Sequence, residues 1–459
     1  MSGFTSDSSA QEQTRASDQD GTGFGGLLNK WRTGLISGLT GGRPAPDVNV
    51  KPTSSSSSSA RSISGTESDA PVLTMSEGMP PLKKTDKLPM TPVSSSSSSS
   101  SLTERQLSTA KYANELVKQP NSPDVRTSFE RVQQPHRIQQ FDKLLQAENI
   151  DLNALRKLSW NGIPTGFRTM VWQLLLGYMP TNKARREQAM LKKRKEYLDS
   201  IPQYFDLPDE DRGTTEQQIK HQITVDLPRT SPSIPFFQQA PIQKALERIL
   251  YIWSIRHPAS GYVQGMNDLL TPMLCVCMSP FIDGDVLRSD VTTTNAETLM
   301  NVEADAYWLF SKLLDNIQDH YTSSQPGLQR MVLRLEDLVH RIDNELHEHF
   351  ENEGLQYIQF GFRWMNCLLL REIPLRAIIR IWDTYLSEER GGFENFHVYV
   401  CAVLLKTYKL KLLEMSFQDL IMFLQDMPTM NWSEEDVEPI LSQAFILSTL
   451  FEDSPSHLG

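Results

Sequence analysis

Apolar residues recur at helical spacing through most of the chain after residue 141. Behind Pro164 they fall at i, i+4, i+7 and i+8, and behind Pro241, a residue that suits a first helical turn, they form a broad stripe. Ser433 followed by Asp436 resembles a capping box ahead of the last such segment. No series alternates with the period of two that half-buried strands show, so the pattern predicts an all-α domain. The apolar faces are marked by Phe167, Val171, Leu174 and Leu175; by Ile242, Ala245, Leu246, Ile249, Leu250 and Trp253; by Val302, Ala306, Leu309, Phe310, Leu313, Leu314 and Ile317; by Leu335, Leu338, Ile342 and Leu346; by Leu375, Ile378, Ile379 and Trp382; and by Val437, Ile440, Leu441 and Ala444.

The first 130 residues have a different composition. Two serine runs, Ser54–Ser59 and Ser94–Ser101, stand among glycine and proline with hardly any aromatic residue. Such a segment cannot bury enough apolar surface to offset backbone ordering, which costs about 1–2 kcal/mol per residue. We therefore predict a long disordered arm over 1–130 and a helical domain over 135–455. Within the arm, Leu27–Leu39 is either an unstructured apolar patch or a short helix that docks on a membrane or partner.

The helical region is longer than one hydrophobic core usually supports, which predicts two helical lobes. Gly284–Thr298 is polar and threonine-rich and is expected to be an insertion loop between helices. Four cysteines lie in apolar surroundings, which indicates reduced core residues and not a disulfide framework. Four tryptophans are expected to anchor the same core. These residues are Cys275, Cys277, Cys367 and Cys401, and Trp172, Trp253, Trp364 and Trp382.

The charge balance excludes several classes of protein. The 459 residues include 45 Lys and Arg and 56 Asp and Glu, so the formal net charge is −11. Proteins that coat nucleic acid need clustered cations to displace counterions from phosphate, so we expect no nucleic-acid partner. The longest uncharged apolar stretch, Leu269–Ile282, is shorter than the roughly 20 residues that span a bilayer. Since the N-terminus also lacks a secretory signal pattern, we expect a soluble, cytoplasmic protein without a transmembrane segment.

Motifs for independent enzyme chemistry are missing from the sequence. It has no G-x-x-x-x-G-K-[ST] phosphate loop, no G-x-S-x-G elbow and no H-E-x-x-H zinc motif. His347 and His349 are two positions apart and point to different faces of a helix, which disfavours a shared metal. We therefore expect no metal and no cofactor of the protein's own.

Two short polar segments beside strong helices remain as candidates for chemistry, Ile223–Thr230 and Gly261–Asp268. The first, interpreted as a proline-rich loop, has prolines that stiffen the backbone around Arg229, and the second presents Gln264. Neither side chain titrates near neutral pH, so the pair is poorly suited to acid–base catalysis. It suits a phosphoryl-transfer transition state, which needs positive charge and a positioned water. Taken singly, each segment fits a local structural role better, such as a surface salt bridge between Asp226 and Arg229.

Taken together, the two segments resemble the TBC-domain family of GTPase-activating proteins for Rab GTPases. The family motif I-x-x-D-x-x-R matches Ile223, Asp226 and Arg229, and the motif Y-x-Q matches Tyr262 and Gln264, in the family's order. Further agreement lies near the start and the end of the matching region. These positions are Gly162, Ile163, Pro164, Arg168 and Trp172, and Arg371, Glu372, Ile373, Pro374, Arg380, Trp382 and Asp383.

The resemblance implies a TBC-type helical fold and a GTPase activator that completes its partner's active site instead of having an independent one. Arg229 would neutralise the charge that develops on the γ-phosphate, and Gln264 would orient the attacking water. GTP and Mg²⁺ would be carried by the partner, a Rab GTPase in its GTP-bound form. The residues expected to support the two side chains are Asp226, Tyr262, Arg168, Ile223 and Thr230.

The residues around Arg229 are similar to a Golgi-associated subgroup of the family, which implies peripheral association with the Golgi and a role in vesicle trafficking. The arm is then the expected contact for a Golgi adaptor. Arg61–Ser64 and Arg105–Ser108 have a spacing that basophilic kinases and phosphoserine-binding proteins use. Two alternatives stay open, a non-catalytic helical Rab-binding scaffold and a helical adaptor that never contacts nucleotide. The sequence determines neither the substrate Rab nor the oligomeric state.

Overall fold

Helices make up nearly all the regular structure of this protein. The computed structural model describes residues 134–322 and 324–451, and these ranges contain sixteen α-helices joined by loops, 3-10 turns and two π-helical turns. The same ranges contain no strand, only an isolated bridge between Asn149 and Asn182. The all-α prediction is confirmed. The helices are α1 Pro135–Leu145, α2 Leu152–Ser159, α3 Thr165–Leu175, α4 Lys183–Ser200, α5 Thr214–Asp226, α6 Ala240–Arg256, α7 Met266–Met278, α8 Ala296–Asn316, α9 Pro326–Ile342, α10 Asn344–Asn352, α11 Ile358–Asn366, α12 Leu375–Ser387, α13 His397–Thr407, α14 Lys409–Leu412, α15 Phe417–Gln425 and α16 Glu434–Phe451.

Local sequence determines where several helices begin. At α2, the Asp151 carboxylate accepts a hydrogen bond from the backbone N–H of Asn153 (2.9 Å). At α16, Ser433 Oγ accepts a hydrogen bond from the backbone N–H of Glu435 (3.2 Å), while Asp436 Oδ2 accepts one from the backbone N–H of Ser433 (2.7 Å). These reciprocal bonds form the capping box that the sequence predicts.

Helix packing divides the described residues into two groups. In the first group α7 packs on α8, α4 and α6 also lie against α8, and α5 lies on α6. In the second group α9 packs against α10, α11 and α13, and α16 covers α13. Helix α12 contacts α2, α3, α7 and α16 and so joins the two groups. The two lobes expected from the length are therefore two helix groups within one compact unit.

Buried carboxylates on α8 fasten the first group. Glu303 accepts hydrogen bonds from the hydroxyl of Tyr197 on α4 (2.6 Å) and from Nε of Arg248 on α6 (2.7 Å). Asp305 accepts a hydrogen bond from Nε of Arg194 on α4 (2.8 Å). A buried carboxylate is tolerated when a cation and further donors satisfy it. These pairs therefore fix how α4, α6 and α8 lie against one another.

The core contains the aromatic and sulfur side chains that the sequence predicts to be buried. The rings of Trp172 and Trp382 stack with their centroids 6.1 Å apart and so join α3 to α12. The four predicted tryptophans are all buried, and the four cysteines are buried and unpaired, as expected for reduced core residues. They are Trp172, Trp253, Trp364 and Trp382, and Cys275, Cys277, Cys367 and Cys401.

The insertion loop expected over Gly284–Thr298 is shorter than predicted. It contains a single 3-10 turn, Val286–Arg288, and α8 already begins at Ala296, because Asn295 accepts a hydrogen bond from the backbone N–H of Glu297 (2.9 Å). Asparagine is a good helix N-cap, which explains the earlier start.

Several predictions for the N-terminal part concern residues outside those that the structure describes. They are the disordered arm over 1–130, the apolar segment Leu27–Leu39, and the serine sites in Arg61–Ser64 and Arg105–Ser108. Among the described residues, no helix is both long enough and apolar enough to cross a bilayer.

Candidate functional site

Arg229 stands at the end of a short turn that is anchored in the core. Helix α5 ends at Asp226 and the 3-10 turn Leu227–Arg229 follows, with Ile223 and Leu227 buried beneath it. Ile223 and Asp226 thus belong to the last turn of α5, which corrects their assignment to a proline-rich loop. The guanidinium of Arg229 is exposed and has no hydrogen-bond or ion-pair partner among the described residues, so no salt bridge joins it to Asp226.

A buried threonine closes this turn. The hydroxyl of Thr230 donates a hydrogen bond to the backbone oxygen of Asp226 (3.1 Å) and accepts one from Nδ2 of Asn267 on α7 (2.9 Å). Nε2 of Gln238 donates to the backbone oxygen of Thr230 (3.2 Å). Because Thr230 is fully buried, the two bonds of its hydroxyl are shielded from water and fix the backbone immediately after Arg229.

A second bond joins the arginine-bearing turn to the glutamine-bearing loop. The hydroxyl of Tyr262 donates to Oδ2 of Asp226 (2.9 Å) and lies 3.3 Å from Oδ1 of Asn267. Burial raises the pKa of the Asp226 carboxyl above its ordinary value, while the Tyr262 hydrogen bond and the positive charge of Arg371 oppose that rise. Burial also raises the pKa of Tyr262, and the neighbouring Asp226 adds to this effect. Tyr262 therefore remains a neutral donor at physiological pH.

The loop that carries Gln264 depends on a glycine. Gly265 has φ 107°, in the left-handed region that favours glycine, and its backbone N–H donates to Oδ1 of Asn267 (3.1 Å). A Cβ at this position would lie 2.4 Å from Nδ2 of Asn366. That same Nδ2 donates to the backbone oxygen of Gln264 (2.9 Å). The side-chain amide of Gln264 is half-buried and has no hydrogen-bond partner among the described residues.

The start of α7 is tied to the other helix group. Nε of Arg371 donates to Oδ2 of Asp268 (2.8 Å), and Sγ of Cys367 lies 3.7 Å from the same oxygen. Between these two partners, Leu368 and Leu369 have φ 48° and 62°. Left-handed backbone costs a non-glycine residue roughly 1–2 kcal/mol, so this segment is held by its surroundings.

Arg168 lies elsewhere in the domain and does not contact Asp226, Tyr262 or the loop between them. Its guanidinium pairs with the fully buried Asp383 (Nη2 to Oδ2, 3.0 Å), which raises the pKa of Arg168 despite its burial. Nε1 of Trp172 donates to Oδ1 of the same carboxylate (2.7 Å). The expected support of the two side chains by Arg168 is therefore corrected to the pairing of α3 with α12.

Sequence reasoning found the side chains of this site that lie close together along the chain and missed the distant ones. Asn267 and Asp268 lie inside the polar segment that the sequence singled out, although no role could be given to them. Asn366 was missed altogether, since it lies 102 positions from Gln264 and has no sequence signature. No group of three or more metal-binding side chains occurs in the described part of the chain. The site presents an exposed cation, Arg229, and a half-buried amide, Gln264, and neither has a side-chain hydrogen bond among the described residues.

Residues 165–413 match the sequence profile of the Rab-GTPase-TBC domain, which covers more than half of the chain. The chain belongs to this family. Human TBC1 domain family member 22B is 48% identical to this TBC chain over 327 residues, which are 71% of the chain and 64% of that relative. The GTPase-activating protein gyp1 of Schizosaccharomyces pombe is 48% identical over 323 residues, 70% of the chain and 63% of the relative. The chain thus spans a little under two thirds of the length of these relatives.

A solved structure supports the same TBC fold. The crystal structure of the Ypt/Rab-GAP domain of Gyp1p superimposes with a TM-score of 0.64 at 45% sequence identity. The match covers 69% of this chain and 98% of that domain. Nearly the whole of the solved domain therefore has a counterpart here.

Proposed function

We propose that this chain is a GTPase-activating protein for Rab GTPases. Membership of the Rab-GTPase-TBC family supports the class of partner, and two relatives bear names that describe GTPase activation. The observation that carries the proposal is the state of Arg229 and Gln264. Neither side chain has a hydrogen-bond or ion-pair partner among the described residues, while the backbones that carry them are held by buried or partly buried hydrogen bonds.

Arg229 is proposed to enter the nucleotide site of a GTP-bound Rab. Its planar guanidinium can contact two oxygens at once and neutralise the charge that spreads over the γ-phosphate in the transition state. Arginine supplied in this way accelerates GTP hydrolysis by about 10³–10⁵-fold. The exposed position at the tip of an anchored 3-10 turn suits this role, because the backbone is already ordered and only the side chain has to be ordered on docking.

Gln264 is proposed to orient the attacking water. A neutral amide has both a donor and an acceptor, which lets it hold a water toward the phosphorus without taking its proton. The chain would then contribute positioning and charge, while the Rab carries GTP and Mg²⁺. In this proposal the protein is an activator that completes the site of its partner and has no active site of its own.

Four residues are proposed to hold these two side chains in place. Asp226 and Tyr262 join the two segments, Thr230 closes the arginine turn, and Ile223 anchors it from below. We further propose that residues 135–455 form the Rab-binding domain, that 1–130 is a regulatory arm that contacts a Golgi adaptor, and that the protein associates peripherally with the Golgi. These three proposals rest on the resemblance in sequence.

The test is single-turnover GTP hydrolysis by a panel of GTP-loaded Rabs, with the full chain added at increasing concentration. We expect acceleration for one or a few Rabs, and a loss of about 10³-fold or more in the maximal rate for Arg229→Lys. Arg185→Lys is the matched control, because Arg185 is an exposed arginine on α4 without a side-chain partner among the described residues. If the folded chain binds Rabs but accelerates GTP hydrolysis by none of them, the proposal is wrong and the non-catalytic Rab-binding scaffold remains.

A further inference from the structure

The segment Asn366–Arg371, here called the clamp segment, crosses from α11 to the base of the Gln264 loop. At one end Nδ2 of Asn366 donates to the backbone oxygen of Gln264 (2.9 Å), and at the other Nε of Arg371 donates to Oδ2 of Asp268 (2.8 Å). These two contacts flank the glycine on which the loop depends. The clamp segment therefore fixes both sides of the turn that presents Gln264.

The backbone of the clamp segment is strained between these two contacts. Leu368 and Leu369 both have positive φ, at 48° and 62°, an arrangement that crowds the Cβ of an L residue. Their side chains are 1% and 0% exposed, so packing holds the backbone in place. Strain of this kind persists when the surrounding structure over-determines it, and it clusters at functional contacts.

The buried amide of Asn366 lowers the stability of the core that surrounds it. The residue is 7% exposed, and its Oδ1 has no hydrogen-bond partner within the described ranges. A buried acceptor without a partner is destabilising, and an apolar side chain of the same size would avoid that cost. Besides a 3.9 Å approach to Sγ of Cys367, Nδ2 has one contact, the backbone oxygen of Gln264. The hydrogen bond from Nδ2 to the backbone oxygen of Gln264 therefore explains why an amide occupies this position.

We propose that Asn366 is a positioning residue for Gln264, an inference that rests on the proposed function. Its amide fixes the carbonyl of Gln264, and it lies where a Cβ at position 265 would clash with it, immediately before α7 begins. This role requires no contact of Asn366 with the nucleotide or with the attacking water. It acts through the direction in which the Gln264 side chain is presented.

A double-mutant cycle tests this role on the full chain. Asn366→Ala, Gln264→Ala and the double variant are compared with wild type in single-turnover GTP hydrolysis by a responsive Rab, as a function of activator concentration. A misplacement of about 1 Å in a reacting geometry lowers rates by roughly 10²-fold, so we expect Asn366→Ala to lower the maximal rate by about 10- to 100-fold. The half-saturating concentration is expected to stay close to the wild-type value.

The decisive comparison is in the Gln264→Ala background, where Asn366→Ala should lower the remaining rate by less than about twofold, because the side chain that it positions is gone. The matched control is Tyr321→Phe, which removes a buried hydrogen bond to the backbone oxygen of the same Asn366 (2.9 Å) and leaves Nδ2 in place. This control should keep the wild-type maximal rate. If Asn366→Ala does not fold, Asn366→Gln carries the same test, since it keeps the amide and displaces it by one methylene.

Two results would overturn the inference. Equal losses in the wild-type and Gln264→Ala backgrounds would show that Asn366 acts through general stability, and a wild-type rate for Asn366→Ala would show no role. In both cases the proposed function survives if Gln264→Ala itself lowers the rate. If Gln264→Ala keeps the wild-type rate, the glutamine role in the proposed function is wrong and the positioning role of Asn366 falls with it.

Discussion

Arg229 is exposed and Gln264 is half-buried, and the placement of both side chains depends on buried polar neighbours. Thr230 is fully buried and Asn267 is 2% exposed, and the hydrogen bond between them joins the two segments at their bases. Asp226 adds a second link through Tyr262. The parts of the site that would contact a partner are therefore accessible, while the parts that set their geometry are shielded from solvent.

Two substitutions of Asp226 should distinguish what its hydrogen bond contributes to stability from what its charge contributes. Burial raises the pKa of Asp226, so the stability that this group contributes is present below its ordinary pKa and is lost as the pH rises through the folded-state pKa. At pH 7 Asp226→Asn should therefore keep or increase the free energy of unfolding, because it removes a buried charge and keeps an acceptor for Tyr262. Asp226→Ala should lower it by about 1–3 kcal/mol, since the Tyr262 hydroxyl loses its partner. Urea unfolding measures both, and equal losses for the two variants would contradict this account.

The burial of His320 predicts that the protein loses stability in mild acid. Burial lowers its pKa to about 4, although Asp319 opposes the shift, so the stability that neutral His320 contributes is present above the ordinary pKa of 6.5 and is lost as the pH falls toward 4. From pH 7 to pH 5 this amounts to about 2 kcal/mol. Neither ring nitrogen has a hydrogen-bond partner in the described ranges, so His320→Leu breaks no bond and should remove this part of the pH dependence. Urea unfolding at the two pH values tests this, and a pH dependence in His320→Leu as steep as that of wild type would contradict it.

The sequence pattern predicts which helices exist better than it predicts where each helix begins and ends. The apolar series from Leu335 to Leu346 is divided between α9 and α10, because Asp343 leaves the helical conformation and accepts a hydrogen bond from the backbone N–H of Leu346 (3.3 Å). Helix α5 continues to Asp226, two residues before Pro228, since a proline is tolerated in the first turn of the 3-10 segment that follows. Such boundaries depend on single side-chain contacts, which periodicity does not contain.

The capping box of α16 offers a test at this scale. Ser433→Ala removes the acceptor for the backbone N–H of Glu435 and should lower the free energy of unfolding by about 1 kcal/mol. Ser416→Ala is a suitable control, because the Ser416 hydroxyl bonds to the Asp419 side chain and caps no backbone group of α15. Chemical unfolding of both variants should show a loss for the first alone. Equal losses would mean that the box does not stabilise α16.

In the molecule as a whole, the contacts that join distant elements cannot be predicted from the sequence alone. The TBC motifs contain both Arg168 and Asp383, yet their pairing spans 215 positions and could not be read from spacing. Asn366 and Gln264 present the same difficulty over 102 positions. Helical periodicity and the two motifs were enough to predict the fold class and to single out Arg229 and Gln264. The supporting contacts depend on how α11 and α12 pack against the first helix group, which no local pattern specifies.

Asp383 is a fully buried charge on α12, the helix that joins the two helix groups. Asp383→Ala leaves the guanidinium of Arg168 buried without its partner and should lower the free energy of unfolding by about 3–5 kcal/mol. Asp199→Ala, which removes the exposed Lys195–Asp199 pair, should cost less than about 1 kcal/mol. Thermal unfolding separates the two. At a temperature where Asp383→Ala is folded, its GTPase-activating rate per folded molecule should match wild type, and a specific loss of that rate would place Asp383 in the functional site.

A comparison of the GTP hydrolysis rate with the affinity for the Rab, made in the same variants, tests whether Arg229 and Gln264 complete the partner's active site. Wild type, Arg229→Lys and Gln264→Ala are titrated into a responsive GTP-loaded Rab, and the maximal single-turnover hydrolysis rate is recorded together with the affinity for that Rab. Both substitutions should lower the maximal rate steeply while the affinity and the unfolding temperature stay near wild type. A wild-type maximal rate in either folded variant would contradict the claim that Arg229 and Gln264 complete the partner's active site.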